Sequence, residues 1–313
     1  MTYLRGKLNL ELFEEDPRRF LENAIKEYVA TSPLNCLTNF NNAPISDEPI
    51  IVFANGDDPL FQDFKTIIGD HHLTPREAME KYVRSKGWRY GLRSDIENVS
   101  VISYALPIPY ETRLSERKSS CGGSKRYNHT RWLGEIFRIH LRDYVISLLE
   151  IMGYNALAPS RTGLSETKAT PEGLMSGWSE RHIAYASGLG TFGLNGLMIT
   201  SRGCAVYLSS VVCDLELTPT PRLYDSHVAN CLFYQDGSCQ QCIERCIARA
   251  ISEQGRSNIR CRENLGKEQP AMLEERGLDK ELTGMAPACG LCSTNVPCED
   301  RTPIPSDSNK KMD

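Results

Sequence analysis

Two hydrophobic periods alternate along the chain. In DPRRFLENAIKEYVATS (16–32) acids lead and apolar residues recur at helical spacing, which predicts a helix. TPREAMEKYVRSKG (74–87) predicts a second, with Thr74 as N-cap, Pro75 at the first position and Gly87 past the end. The longest amphipathic pattern, RWLGEIFRIHLRDYVISLLEIMGY (131–154), predicts a third. Between them lie strand patterns: EPIIVFANG (48–56), NVSVISYALPIPY (98–110, stopped by Pro107 and Pro109) and the short GYNALAPS (153–160). LMIT (197–200) and CAVYLSSVVCDLEL (204–217) predict a hairpin. Helices alternating with strands predict an α/β domain over residues 1–222. TPTPRLYDSH (218–227) has the composition of a linker. A cysteine-rich domain with short helical pieces is expected over 223–303, and a disordered tail over 304–313.

Composition narrows this little. Of 313 residues 40% are hydrophobic and 24% charged, an ordinary globular balance. A net charge of -4 does not announce a nucleic-acid binder, although a local basic patch is compatible with it. No apolar run approaches the roughly 18 residues of a membrane span. The first residues lack a signal peptide's apolar stretch, and no such stretch follows the twin Arg18–Arg19. A cytoplasmic protein without membrane partners is the expectation.

The cysteines change the picture. Of twelve, eight fall between Cys231 and Cys298. In a reducing compartment such a cluster points to metal rather than disulfides. The order is Cys231, x7, Cys239, x2, Cys242, x3, Cys246, then Cys261, then Cys289, x2, Cys292, x5, Cys298. Two C-x2-C units admit zinc. C-x2-C-x3-C also resembles the end of the bacterial ferredoxin pattern, in which the last cysteine of a run serves the other cluster. Eight thiols satisfy two [4Fe–4S] clusters with none left over. The crossover partitions them into Cys231, Cys239, Cys242 and Cys298 for one cluster, and Cys246, Cys261, Cys289 and Cys292 for the other. Ferredoxin cysteines are often followed by proline. Here Ile247 follows Cys246 and Glu299 follows Cys298, so a variant of that fold is expected. Cys36, Cys121, Cys204 and Cys213 read on spacing as buried apolar residues.

SGLGTFGLNGLMIT (187–200) spells G-x-G-x-x-G through Gly188, Gly190 and Gly193, with Asp214 downstream. A dinucleotide fingerprint needs a strand before and a helix after. Here the helical GWSERHIAYAS (177–187) comes first and LMIT follows, so that reading fails. The glycines remain as a tight turn or a place of close backbone approach. Asp57, Asp58, His71 and His72 fall in PIIVFANGDDPLFQDFKTIIGDHH (49–72), read as a solvated loop and a helix rather than a metal site.

AYASGLGTFGLNGLMITSRGCAVYLSSVVCDLEL followed by this two-cluster cysteine pattern resembles the family of epoxyqueuosine reductases and reductive dehalogenases. VISYALPIPYE and EIMGYNALAPS extend the likeness to roughly residues 95–303. The resemblance implies an α+β, nitroreductase-like domain that binds base-off cobalamin, with a ferredoxin-like double [4Fe–4S] domain behind it. It implies an oxidoreductase supplied by a low-potential donor such as ferredoxin or flavodoxin, acting on a small-molecule or tRNA-borne substrate. It places Gly188, Leu189, Gly190 and Gly193 against the corrin, with Cys204 and Cys213 lining the same pocket. The family's R-D-Y-H-like stretch carries a proton-donating aspartate. The matching KRYNHTRWLGEIFR has none, which leaves Tyr127 and His129 as candidate donors, with Tyr104 and Tyr110 behind them as packing residues. DSHVAN (225–230) departs from the D-x-H-x-x-G of a cobalt-ligating histidine, so His227 is incidental. Two rivals stand beside the reductase: an electron-transfer or activator protein without a corrinoid, and a zinc-bound structural module.

Overall fold

The computed structural model describes residues 9–86, 95–171, 173–268 and 287–304. Gly87 and residues 305–313 of the expected tail lie outside these. In chain order come α1 (Leu10–Glu15), α2 (Pro17–Thr31), β1 (Ile50–Asn55), α3 (Leu60–Ile67), α4 (Pro75–Lys86), β2 (Ser100–Pro107), α5 (Tyr110–Arg117) and α6 (Lys125–Ile151). Next are β3 (Ala156–Leu157), β4 (Thr167–Thr170), β5 (Gly173–Ser176), α7 (Glu180–Ala186), β6 (Gly190–Phe192), β7 (Met198–Thr200) and β8 (Val206–Cys213). The cysteine-rich part holds α8 (Leu232–Asp236), α9 (Gln241–Glu244), β9 (Ile251–Ser252), β10 (Gly255–Arg256) and α10 (Asn258–Glu263). No described helix is long and apolar enough to cross a membrane.

The sheet runs β1-β2-β8-β3 and every pairing in it is antiparallel. An α/β domain in the strict sense joins parallel neighbours by crossovers. Here β1 and β2 run oppositely although two helices separate them in sequence, so the architecture is a mixed one with helices on both faces of an antiparallel sheet. β2 is buried along its whole length. Its Ile102, Tyr104 and Leu106 point to the face covered by α2 and α6, and Val101 to the face covered by α3, α4 and α7. On α6 the stripe Phe137, Leu141, Val145 and Leu149 is fully buried, each side chain contributing roughly 1.5–3 kcal/mol of apolar burial.

α6 begins six residues before the amphipathic pattern does. Ser124 caps it, its Oγ accepting the Tyr127 N–H at 3.1 Å. The added turns bury Asn128, His129 and Thr130, polar residues that hide the helix from a hydrophobicity reading. The capping of α4 is reciprocal: Glu77 N–H donates to Thr74 Oγ at 3.2 Å and Thr74 N–H to Glu77 Oε2 at 3.0 Å.

The expected hairpin is not formed. β7 pairs with β6, and β8 pairs with β2 and β3. The turn at Asn195–Gly196, where Gly196 takes φ 69°, closes the β6–β7 pair.

Residues 55–72 are less solvated than expected. Asp57 pairs with Arg76 and Asp58 with Arg222, and His72 is fully buried, stacked on Trp178 at 6.2 Å. Ser179 N–H donates to its Nε2 at 3.1 Å. Burial, helped by Lys65, brings His72 from 6.5 to about 4. Burial, helped by Arg181, does the same to His182. The folded values are depressed, so the unfolded chain binds more protons between about 4 and 6.5, and stability falls as pH falls through that window. Each histidine adds up to about 1.4 kcal/mol per pH unit. Denaturant midpoints between pH 4.5 and 7 will show it, and His182→Gln will flatten the slope by about one proton. Equal slopes in both proteins would count against this assignment.

Candidate functional site: two thiol-lined cavities

The eight clustered cysteines surround two separate cavities. One, of about 270 Å³, is bordered by Cys246, Cys261, Cys289 and Cys292. The other, about 20 Å³, is bordered by Cys231, Cys239, Cys242 and Cys298. The local backbone explains the crossing of the chain between them. Cys231 is the residue before α8 and Cys242 lies in α9. One more turn of helix would keep Cys246 on the face of Cys242. Instead α9 ends at Glu244, the Cys246 N–H closes a tighter turn onto Ile243 O at 3.1 Å, and Cys246 joins the other set. Cys261 comes from α10, and the segment 287–304 completes both sets.

Burial pushes the thiols of Cys242, Cys289 and Cys292 up to about 12. Such thiols act as thiolate ligands only when a cationic centre displaces their protons. Donors already face some of the sulfurs. Arg256 Nη2 donates to Cys261 Sγ at 3.0 Å and Ala250 N–H to Cys246 Sγ at 3.3 Å. Among the described residues no three His, Cys, Asp or Glu side chains converge closely enough to hold a single metal ion.

The larger cavity extends beyond its thiols to a wall of Ile108, Val206, Tyr207, Tyr127 and Arg131. Tyr127 is nearly buried and sits close to Gly290, where a Cβ would come within 2.4 Å of its ring. Burial, with Tyr207 and Glu116 nearby, pushes its hydroxyl well above the usual range. Two residues along the helix turn the side chain by about 200°, and His129 accordingly faces elsewhere. It packs edge-on to Phe40 at 5.5 Å, and its Nε2 has no hydrogen-bond partner among the described residues. Burial, with Lys125 nearby, lowers its pKa. Tyr104 is a fully buried core residue, and Tyr110 is exposed beside Arg113 and Arg117. His227 ties the linker to β6 through its carbonyl, which accepts the Phe192 N–H at 2.7 Å.

Of the glycine segment, Gly193, Leu194, Asn195 and Ile199 border the smaller cavity. Gly190 is required by the fold itself: a Cβ there would lie 2.1 Å from Ile199 O on β7. Gly188 turns the chain out of α7 with φ 84°. Leu189 is buried with Val52, Ala105, Ala184 and Met198, and Cys213 is buried among the residues under α2 and α6. Gly188, Leu189, Gly190 and Cys213 pack within the fold and are not among the residues lining the two cavities. Cys204 does face the larger cavity.

Sequence reading passed over several polar residues here. Glu116, fully buried, accepts the Gly290 N–H at 2.8 Å and the Ser124 N–H at 2.6 Å, fixing the Cys289–Cys292 loop to the start of α6. Asn195 Nδ2 donates to Cys292 O at 2.7 Å. Glu299 receives both Arg113 and Arg117 at 2.8 Å.

No family model matches the chain, and no curated protein does. Among solved structures it is similar to a selenomethionine-labelled epoxyqueuosine reductase, at 16% identity and a TM-score of 0.42, covering 94% of this chain and 69% of that one. It is similar to epoxyqueuosine reductase from Bacillus subtilis at 18% identity and a TM-score of 0.37, covering 82% of this chain and 63% of that one. A third, epoxyqueuosine reductase with an epoxyqueuosine-modified tyrosine tRNA stem loop, gives 17% identity and a TM-score of 0.40, covering 89% of this chain and 65% of that one. The chain spans about two thirds of the length of these enzymes.

Proposed function

We propose that this chain is an iron–sulfur oxidoreductase of the epoxyqueuosine reductase kind, with one [4Fe–4S] cluster on Cys231, Cys239, Cys242 and Cys298 and another on Cys246, Cys261, Cys289 and Cys292. The observation that carries the reading is the sorting of eight thiols, against their order in sequence, into two sets of four around two cavities. Thiols spread around a cavity suit a polynuclear cluster better than the single tetrahedral ion that zinc provides. The donor sets therefore fit the clusters.

The second cluster would itself fill the cavity of about 270 Å³, so a corrinoid would have to lie outside it, against the apolar Ile108, Val206 and Tyr207 side. When bound, the clusters supply single electrons and the cobalamin supplies the cobalt centre for reductive deoxygenation or elimination. The protein's part is placement. The wall is largely apolar, Arg131 adds a cation to it, and the Tyr127 hydroxyl lines the same cavity as the second set of thiols. His129, turned toward Phe40, is the weaker donor. The substrate is a small molecule or a tRNA-borne base, and a ferredoxin or flavodoxin supplies the electrons.

The test is anaerobic expression with added cobalamin, followed by iron, sulfide, cobalt and zinc determination with a visible spectrum. About eight irons per chain with near-stoichiometric cobalt and a base-off corrinoid spectrum is the expected result. Iron without cobalt would leave an electron-transfer or activator protein. Zinc without iron would overturn the reading.

A further inference from the structure

A ninth thiol stands between the two sets. Cys204 is almost fully buried, and its Sγ lies 3.7 Å from Cys298 Sγ. The backbone holds the two side by side. Cys204 N–H donates to Cys298 O at 2.7 Å, and Ala205 N–H to Glu299 O at 3.0 Å. Gly203, at φ 77°, allows this approach, since a Cβ there would come within 2.3 Å of Glu299 O. Cys204 faces the larger cavity, whereas Cys298 borders the smaller one. Its remaining polar neighbours, Asn195 Nδ2 and Ser293 O, are each 3.9 Å away.

We propose that Cys204 is a positioning residue for the cluster on Cys231, Cys239, Cys242 and Cys298, donating its S–H to Cys298 Sγ and raising that cluster's reduction potential. The inference rests on the cluster reading given above. A ligating cysteine is a thiolate, and a thiolate is a better acceptor than the more distant Ser293 carbonyl. A donor on a ligand sulfur offsets the extra negative charge of the reduced cluster, so it favours reduction. The electron taken up is a single, reversible one, and no bond is made or broken. Cys204 borders the larger cavity and touches Cys298 of the smaller one, so it acts between the two sets of thiols.

The test is an EPR-monitored redox titration of anaerobic holoprotein, comparing wild type, Cys204→Val and Cys204→Ser. Valine nearly keeps the volume and removes the donor. Serine keeps a donor. Cys298→Ala identifies which signal belongs to which cluster. The valine variant should shift one midpoint to lower potential, cutting the reduced-to-oxidised ratio several-fold at the wild-type midpoint (tenfold is 59 mV for one electron). The other midpoint should hold, and the serine variant should stay near wild type. Cys204→Ala gives the same reading if valine does not fit. Unchanged midpoints, or equal shifts for valine and serine, would overturn the proposal. So would loss of half the iron on replacing Cys204 with no loss on replacing Cys298, which would make Cys204 the ligand. Wild-type protein without iron would instead overturn the cluster reading itself.

Discussion

Cys292→Ala will lose about four of eight irons per chain, and Cys242→Ala will lose a different four. The two sets share no side chain, and each surrounds its own cavity. Removing one of four thiolates leaves a cluster iron without its protein ligand, yet the structural ties around Cys292 survive the change. Its carbonyl still accepts from Asn195 and its loop is still held by Glu116. The double variant should then be free of iron while each single variant keeps one EPR signal. Iron analysis with EPR of dithionite-reduced protein decides it. The same signal lost from both single variants would show that the thiols are not partitioned in this way.

Glu299→Ala will cost about 3–5 kcal/mol, far more than its neighbour Asp300→Asn. Glu299 is 2% exposed and binds Arg113 and Arg117, and its Oε2 also accepts the Asn295 N–H at 2.6 Å. Removing it leaves the buried Arg113 guanidinium with no carboxylate but the partly exposed Asp300, at 3.0 Å, beside the Ile108 carbonyl at 2.9 Å. Asp300 itself is screened by solvent, so its removal should cost no more than about 1 kcal/mol. The comparison is made on guanidinium midpoints of anaerobic holoprotein. If the two losses are similar, the ion pair is not what holds the segment 287–304 against α5. Glu299 follows Cys298 directly, so a real loss should also loosen the cluster and lower iron retention.

Much of this was legible in residue order, because it depends on local chemistry. Asp16 caps α2 and Thr74 with Glu77 caps α4, and the α6 stripe follows from its period. Strand partners were harder to read. The antiparallel pairing of β2 with both β1 and β8 depends on contacts far apart in sequence. The β6–β7 hairpin did have a local signal, the Asn195–Gly196 dipeptide, masked by the G-x-G-x-x-G pattern lying over it. In the site the spacing of the cysteines carried the partition into two sets. Glu116, Asn195 and Arg256 carry no such spacing. Glu116 and Asn195 have partners across the fold, visible only once the segment 287–304 is seen against α5, α6 and the β6–β7 turn, whereas Arg256 donates to Cys261 five residues on. The close approach at Gly190 is made to Ile199 of the same hairpin, a packing reason for glycine that the spacing does not show.

The crossing of the two sets has a consequence for biogenesis. While a ribosome has yet to reach Cys289, the nascent chain offers three thiols to one cavity and two to the other. Neither is a complete coordination sphere. The sheet and its helices can collapse during translation, but on the cluster reading neither centre is complete until Cys289, Cys292 and Cys298 have been made. On that reading, a chain stopped upstream of Cys289 could complete neither centre.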